Sequence, residues 1–134
     1  MAGQRPIHVM SVDDDRINQM VVGRALSSGN FRHSVAMTAE DALGMLAELH
    51  TTSGYTDFPD IILMDVNLPG ASGIEATKAV RSYYPDANIR VIMVTAESSP
   101  EATQSCAAAG CNGFLGKPVT PASLSQCIQE VLGM

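Results

Sequence analysis

Short apolar runs alternate with longer stretches in which apolar residues recur every three or four positions, and the alternation persists from one end of the chain to the other. Ile7 to Val12 reads as a buried strand, after which Ile17, Met20, Val21 and Ala25 share one face of a helix capped by Asp15. A weaker strand from Ser34 to Met37 leads to Thr38, an N-cap, and to Ala42, Leu43 and Leu46 at helical spacing. Ile61 to Met64 is an uninterrupted apolar run, as a central parallel strand covered on both faces requires. Its helix opens with Ser72-Gly-Ile-Glu75, the spacing of a capping box.

Val91 to Val94 repeats the buried-strand pattern, and Ser99-Pro100 places a cap before a proline at the first helical position. Gly113 to Leu115 predicts a short fifth strand. Thr120-Pro121 then opens a helix whose stripe is Leu124, Cys127, Ile128, Val131 and Leu132. Met10, Met20, Met64 and Met93 read as core. The stretch from His50 to Asp57, rich in Thr, Ser and Gly, predicts an enlarged surface loop.

Five strands alternating with five helices predict an α/β fold, an open parallel sheet with helices on both faces, because right-handed crossovers put them there. Residues 1–134 read as one domain with an ordered core of about 7–132. Neither a second domain nor an output domain after Leu132 is expected.

Composition narrows the function. A hydrophobic fraction of 46% with 16% charged residues suits a folded globular chain. Eight Lys and Arg against fourteen Asp and Glu disfavour a nucleic-acid surface, since phosphate backbones attract clustered cations. Cys106, Cys111 and Cys127 are an odd number, read as packing residues in a reducing compartment, and no histidine is near them in sequence to build a zinc site. The absence of a signal peptide or an apolar run long enough for a membrane span leads to an expectation of a cytoplasmic protein.

In open parallel sheets ligands bind past the carboxyl ends of the strands. Those ends carry Asp13, Asp14 and Asp15 after the first strand, Asp65 after the third, Thr95 after the fourth and Lys117-Pro118 after the fifth. Crowded carboxylates repel unless they protonate or find a cation. Oxygen ligands without imidazole or thiolate point to a hard ion, and Mg²⁺ fits best. A carboxylate beside that ion and an ammonium is placed to attack phosphorus, because both cations neutralise charge on the transferred group.

Val12-Asp-Asp-Asp15 with Ile17-Asn18-Gln19, Leu63-Met-Asp-Val-Asn-Leu-Pro-Gly70, Val94-Thr-Ala96 and Gly116-Lys-Pro118 together resemble the receiver domains of response regulators, and in motif style those of hybrid histidine kinases. The resemblance spans about Ile7 to Leu132. It implies the flavodoxin-like doubly wound (βα)5 sandwich with strand order 2-1-3-4-5. It further implies that Asp65 becomes an aspartyl phosphate, that Asp13, Asp14, Asp65 and the backbone carbonyl of Asn67 hold Mg²⁺, and that Thr95 and Lys117 bind the phosphoryl group. Phe114 falls at the family's aromatic switch position, Asn67 and Glu97 flank the path of attacking water, and a cis Lys117–Pro118 bond is implied. A histidine kinase or histidine phosphotransfer protein would be the donor. A downstream target or a second copy would meet the surface of the fourth helix, fifth strand and fifth helix, with no nucleic acid or membrane as partner.

Two other readings fit less well. Gly110 to Lys117 superficially resembles a phosphate-binding loop, but it has one intervening residue too many and Pro118 where a hydroxyl should meet magnesium. An aspartyl-phosphate phosphohydrolase of haloacid-dehalogenase type needs an acid two residues past its nucleophile to protonate the leaving group, and Asn67 stands there. The expected role is therefore a regulatory phospho-acceptor, limited to self-directed phosphotransfer and autodephosphorylation, rather than an enzyme.

Overall fold

Strand β3 (Ile61–Asp65) is buried at every position, and it lies in the middle of the sheet. The computed structural model describes residues 6–68, 72–96 and 100–133. Around β3 the order is β2 (Phe31–Ala36), β1 (Ile7–Val12), β3, β4 (Arg90–Thr95) and β5 (Gly113–Gly116), every neighbouring pair parallel. The helices between them are α1 (Arg16–Ser27), α2 (Ala39–Ser53), α3 (Gly73–Tyr83), α4 (Pro100–Ala108) and α5 (Pro121–Leu132).

The sheet separates two apolar clusters. Met10, Ile62, Met64 and Met93 face Leu46, Val80 and Cys106 from α2, α3 and α4, while Val9, Ile61 and Ile92 face Val22, Leu26, Leu124 and Ile128 from α1 and α5. Burying side chains of this size stabilises the fold by about 1.5–3 kcal/mol each. The thiols of Cys106, Cys111 and Cys127 are free, with Cys106 and Cys127 buried and Cys111 half-buried.

Helix caps follow the predicted positions where these are described. Thr38 Oγ1 accepts from the Asp41 N–H at 3.0 Å and Ser72 Oγ from the Glu75 N–H at 3.1 Å, and Thr120 forms a reciprocal box with Ser123. Each such cap is worth ~1 kcal/mol. The Ser99 cap lies outside the described residues.

Three expectations require correction. Helix α1 turns a different face inward: Ile17 and Met20 are 71% and 58% exposed and Val21 is exposed, whereas Gln19, Val22 and Leu26 are buried and Ala25 packs at the edge. Met20 is therefore not core. The phase is set at the cap, where Asp15 accepts from the N–H groups of Ile17 and Asn18, and Gln19 replaces apolar burial with hydrogen bonds. Strand β2 begins at Phe31 and ends at Ala36, because register with β1 runs from Ile7↔Phe31 to Val12↔Ala36, and the exposed Arg32 of this edge strand breaks its apolar pattern.

The third correction concerns residues 50–57. Helix α2 continues through Ser53, so only a short turn remains of the predicted loop. His50 packs among the rings of Tyr55, Phe58 and Tyr84, with centroids 5.2, 6.2 and 5.6 Å away, and this cluster holds the last turn of α2 over the amino end of the sheet.

Two histidines are enclosed beside β1 and β2. His8 is bonded through Nδ1 to the Asp57 carbonyl at 3.1 Å and through Nε2 to Ser34 Oγ at 2.6 Å; a carbonyl only accepts, so Nδ1 carries the proton. Burial holds both imidazoles below their ordinary value, helped at His8 by Arg32 and at His33 by His8. The unfolded chain therefore takes up protons near pH 6.5 where the folded chain resists them. Their contribution is complete above about pH 6.5 and is lost as the pH falls through that value towards the lowered folded-state values. Urea unfolding should accordingly show lower stability at pH 5.5 than at 7, with a shallower dependence in His8→Gln; a flat profile would contradict this burial of neutral rings.

Candidate functional site

Because all five strands run the same way, their carboxyl ends open on one edge. Asp13 follows β1, Asp65 and Thr95 end β3 and β4, and Lys117 follows β5. The register Asp65↔Val94 and Thr95↔Gly116 keeps these ends level.

Asp13, Asp14 and Asp65 each offer a carboxylate oxygen within 4.8 Å of the others. Lys117 Nζ donates to Asp65 Oδ2 at 3.1 Å and stands 3.6 Å from Asp13 Oδ2. Asp65 is 3% exposed, and its Oδ1 accepts from the Asn67 N–H at 3.1 Å. Asp13 is also buried; its Oδ1 accepts from the Asp15 N–H at 2.9 Å and its Oδ2 from Asn18 Nδ2 at 3.2 Å. Asp14 is exposed at the mouth. One side of the cluster thus opens to solvent while two of its acids are oriented by donors.

Charge in the cluster is unbalanced. Among the described residues three carboxylates meet one ammonium, and burial together with the Asp65 charge pushes the Asp13 carboxyl above its usual range, against the Asp15 N–H, Lys117 and Asn18. For Lys117 burial alone would lower the ammonium's value, but the bond to Asp65 and the nearby Asp13 outweigh it and hold the value up. Lys117 is therefore charged at neutral pH. The remaining negative excess and the all-oxygen donor set fit a hard divalent cation.

Of the remaining predicted residues, Thr95, Asn67 and Pro118 adjoin this cluster in the chain or the sheet, and Phe114 lies beside a separate groove. Thr95 is buried, and its carbonyl accepts from the Lys117 N–H at 2.9 Å. The Lys117–Pro118 bond is cis. Asn67 is exposed beside Asp65. Phe114 pairs with Met93 in the sheet and packs against the cluster under α2, α3 and α4, lining a groove of about 170 Å³ with Thr103, Ala107 and Cys111. Glu97 lies outside the described residues.

Three contributors carried no assigned role in the sequence. Asn18 and Gln19 serve the first strand end, and the spacing Gln19, Val22, Leu26 is the signal that could have shown a polar group facing the sheet. Gly73 is the third. A Cβ there would stand 2.1 Å from the Asp65 carbonyl oxygen, and the Gly73 N–H donates to Val66 O at 2.9 Å, so only glycine lets α3 start against the end of β3.

Residues 9–129 match the family model of the response regulator receiver domain. The chain belongs to that family. It is 28% identical to the two-component response regulator ORR6 of Oryza sativa subsp. japonica over 96% of this chain and 72% of that protein. It is also 28% identical to the sensory/regulatory protein RpfC of Xanthomonas campestris pv. campestris, over 95% of this chain but 17% of that protein. Among solved structures, the chemotaxis response regulator CheY4 of Vibrio cholerae superposes with a TM-score of 0.80 at 31% identity, covering 94% of this chain and 98% of that one. The receiver domain of Ssk1 from Saccharomyces cerevisiae, solved with the histidine phosphotransfer signalling protein Ypd1, gives 0.81 at 29%, covering 94% and 88%.

Both kinds of relative expected from the motifs are therefore present, response regulators and proteins with an attached receiver. The receiver family is regulatory, and its matches give the phosphohydrolase alternative no support. Among the described residues no helix is long and apolar enough to cross a membrane.

The close approach at Gly73 separates two glycine replacements. Gly73→Ala should destabilise the receiver by about 1–3 kcal/mol in urea unfolding, as overpacking against backbone does. Gly44→Ala, exposed in α2 with nothing near the added Cβ, should stabilise it by about 0.5–1 kcal/mol. Equal effects of the two would contradict the assigned contact.

Proposed function

We propose that Asp65 accepts a phosphoryl group from the phosphohistidine of a histidine kinase or histidine phosphotransfer protein, and that the resulting charge switches the surface of α4, β5 and α5. The observation that carries this reading is the Lys117 ammonium bonded to Asp65 at 3.1 Å inside a three-carboxylate cluster. An oxygen of Asp65 attacks phosphorus in line, the O–P bond forms as the P–N bond to imidazole breaks, and the imidazole leaves with its electron pair. Lys117 neutralises charge on the transferring group, a role strengthened by the burial of Asp65 beneath it.

Asp13, Asp14, Asp65 and the backbone carbonyl of Asn67 would hold Mg²⁺. When bound, that ion supplies further neutralisation of the phosphoryl oxygens. Asp13 is pre-oriented for this by Asp15 and Asn18. Thr95 offers its hydroxyl to the phosphoryl group, and Phe114 turns inward into the space this vacates. A phosphoryl group adds about −1.5 to −2 charge and new acceptor oxygens, and a preference of ~1–3 kcal/mol suffices to shift such an equilibrium. Asn67, and Glu97 two residues past Thr95, govern the water that ends the signal by autodephosphorylation. A downstream target or a second copy reads the altered surface, in the cytoplasm.

The donor must bring its histidine to Asp65, so it also covers the neighbouring ground on α1. That ground is apolar: Ile17, Met20 and Val21 are exposed, and Val21 and Asn18 border the crevice that holds Asp65. An apolar patch beside a polar site suits a docking protein.

A small acyl phosphate with Mg²⁺ should add the mass of one phosphoryl group to the intact protein, and Asp65→Asn should abolish the gain. No added mass in the parent, equal labelling in the variant, or multiple-turnover hydrolysis of unrelated phosphate esters would contradict the proposal. Lys117→Ala should retain Mg²⁺ binding yet fail to switch. Ile17→Asp with Met20→Asp should leave labelling by the small donor intact and slow transfer from the phosphohistidine protein at least ~10-fold, since one or two buried apolar contacts are worth that much; equal slowing of both would place the patch inside the chemistry instead.

A further inference from the structure

Gln19 sits where its helix faces the sheet, followed at the next inward positions by Val22 and Leu26, and it is only 8% exposed. An amide buried among hydrocarbon costs ~1–3 kcal/mol unless its donors and acceptor are used. Here they are all used. Gln19 Nε2 donates to the carbonyls of Ser11 at 3.1 Å, Asp13 at 3.0 Å and Ala36 at 3.2 Å, with one hydrogen shared. Gln19 Oε1 accepts from Ser11 Oγ, which in turn accepts from His33 Nε2 at 2.7 Å. The direction is fixed by counting hydrogens: the Ser11 proton goes to Gln19, so His33 must donate.

The three carbonyls have a common meaning. Ser11 lies near the end of β1, Ala36 ends β2, and Asp13 opens the crevice. Ala36 O also accepts the Asp13 N–H at 3.1 Å. The Asp13 peptides are thus gripped on both sides, by Ala36 at the nitrogen and by Gln19 at the oxygen. From that fixed backbone the carboxylate reaches Asp15 N and Asn18 Nδ2. Packing alone would be served by a methionine at this position, which would leave the carbonyls without this donor.

We propose that Gln19, held in place by Ser11 and His33, is a positioning residue for Asp13 and thereby sets the affinity of the acid cluster for its divalent cation. This rests on the reading of Asp13 as a cation ligand. Groups that orient ligands from behind typically cost ~10–100-fold in metal affinity when removed.

Calorimetric titration with Mg²⁺ alone, paired with thermal melting in chelator, separates positioning from packing. Gln19→Met should raise the half-saturating Mg²⁺ concentration about 10-fold. Ser11→Ala should raise it less, and the double variant should match Gln19→Met, because the two side chains act as one unit. Val22→Ala, on the same face of α1, should melt earlier while binding Mg²⁺ as the parent does. Parental affinity in a folded Gln19→Met, or an equal loss in Val22→Ala, would overturn the proposal. If Gln19→Met does not fold, parental affinity in Ser11→Ala would overturn it. A parent protein that takes up no Mg²⁺ contradicts the proposed cation site itself, and with it this role for Gln19.

Discussion

Among the described residues, three carboxylates held within 4.8 Å of one another, with the Lys117 ammonium among them, are the constraint around which this structure is organised. Such a cluster is unfavourable in isolation, and at Asp13 burial, reinforced by the Asp65 charge, pushes the carboxyl above its usual range. The same unfavourable charge makes it useful. A site that is short of positive charge when empty gains most from a divalent cation, and then from a ligand that shares the ion. Lys117 offsets part of the deficit and, through its bond to Asp65, holds that carboxylate in a fixed direction.

The fold bears the cost by giving each acid a rigid base. Parallel register levels the strand ends, and the two apolar clusters on either side of the sheet hold that register. Close approaches then fix the individual residues. Glycine at 73 lets a helix start in contact with the Asp65 carbonyl, and Gln19 ties the Asp13 turn to the end of β2. Helix α1 shows the trade most clearly. Its sheet-facing side gives a position to an amide, and hydrophobic Ile17 and Met20 are left exposed next to the crevice.

Much of this was legible in the sequence for a physical reason. A strand buried on both faces reads as a continuous apolar run, and an acid at its end stands out, as at Ile61 to Asp65. Caps such as Thr38 and Thr120 are local and were equally readable. The inward face of α1 was not, because burying Gln19 depends on carbonyls from two strands that meet only in the folded chain. The last turn of α2 was hidden likewise: its Thr-Thr-Ser composition suggests a loop, and the Tyr84 ring that helps hold it comes from beyond α3. Phe114, a strand residue by pattern, lies apart from the acids beside a groove under α4, a separation that spacing along the chain does not reveal.

We assign different work to chemically identical side chains: Asp13 and Asp14 hold the cation only, whereas Asp65, which shares that ion and is bonded to Lys117, attacks phosphorus. Borohydride reduction tests that division directly, because it converts an aspartyl phosphate to homoserine and marks the residue that carried it. After exposure to a small acyl phosphate with Mg²⁺, peptide mapping should find homoserine at position 65 alone, and none when the metal is chelated. Homoserine at position 13 or 14, or an undiminished yield at 65 without metal, would contradict the account.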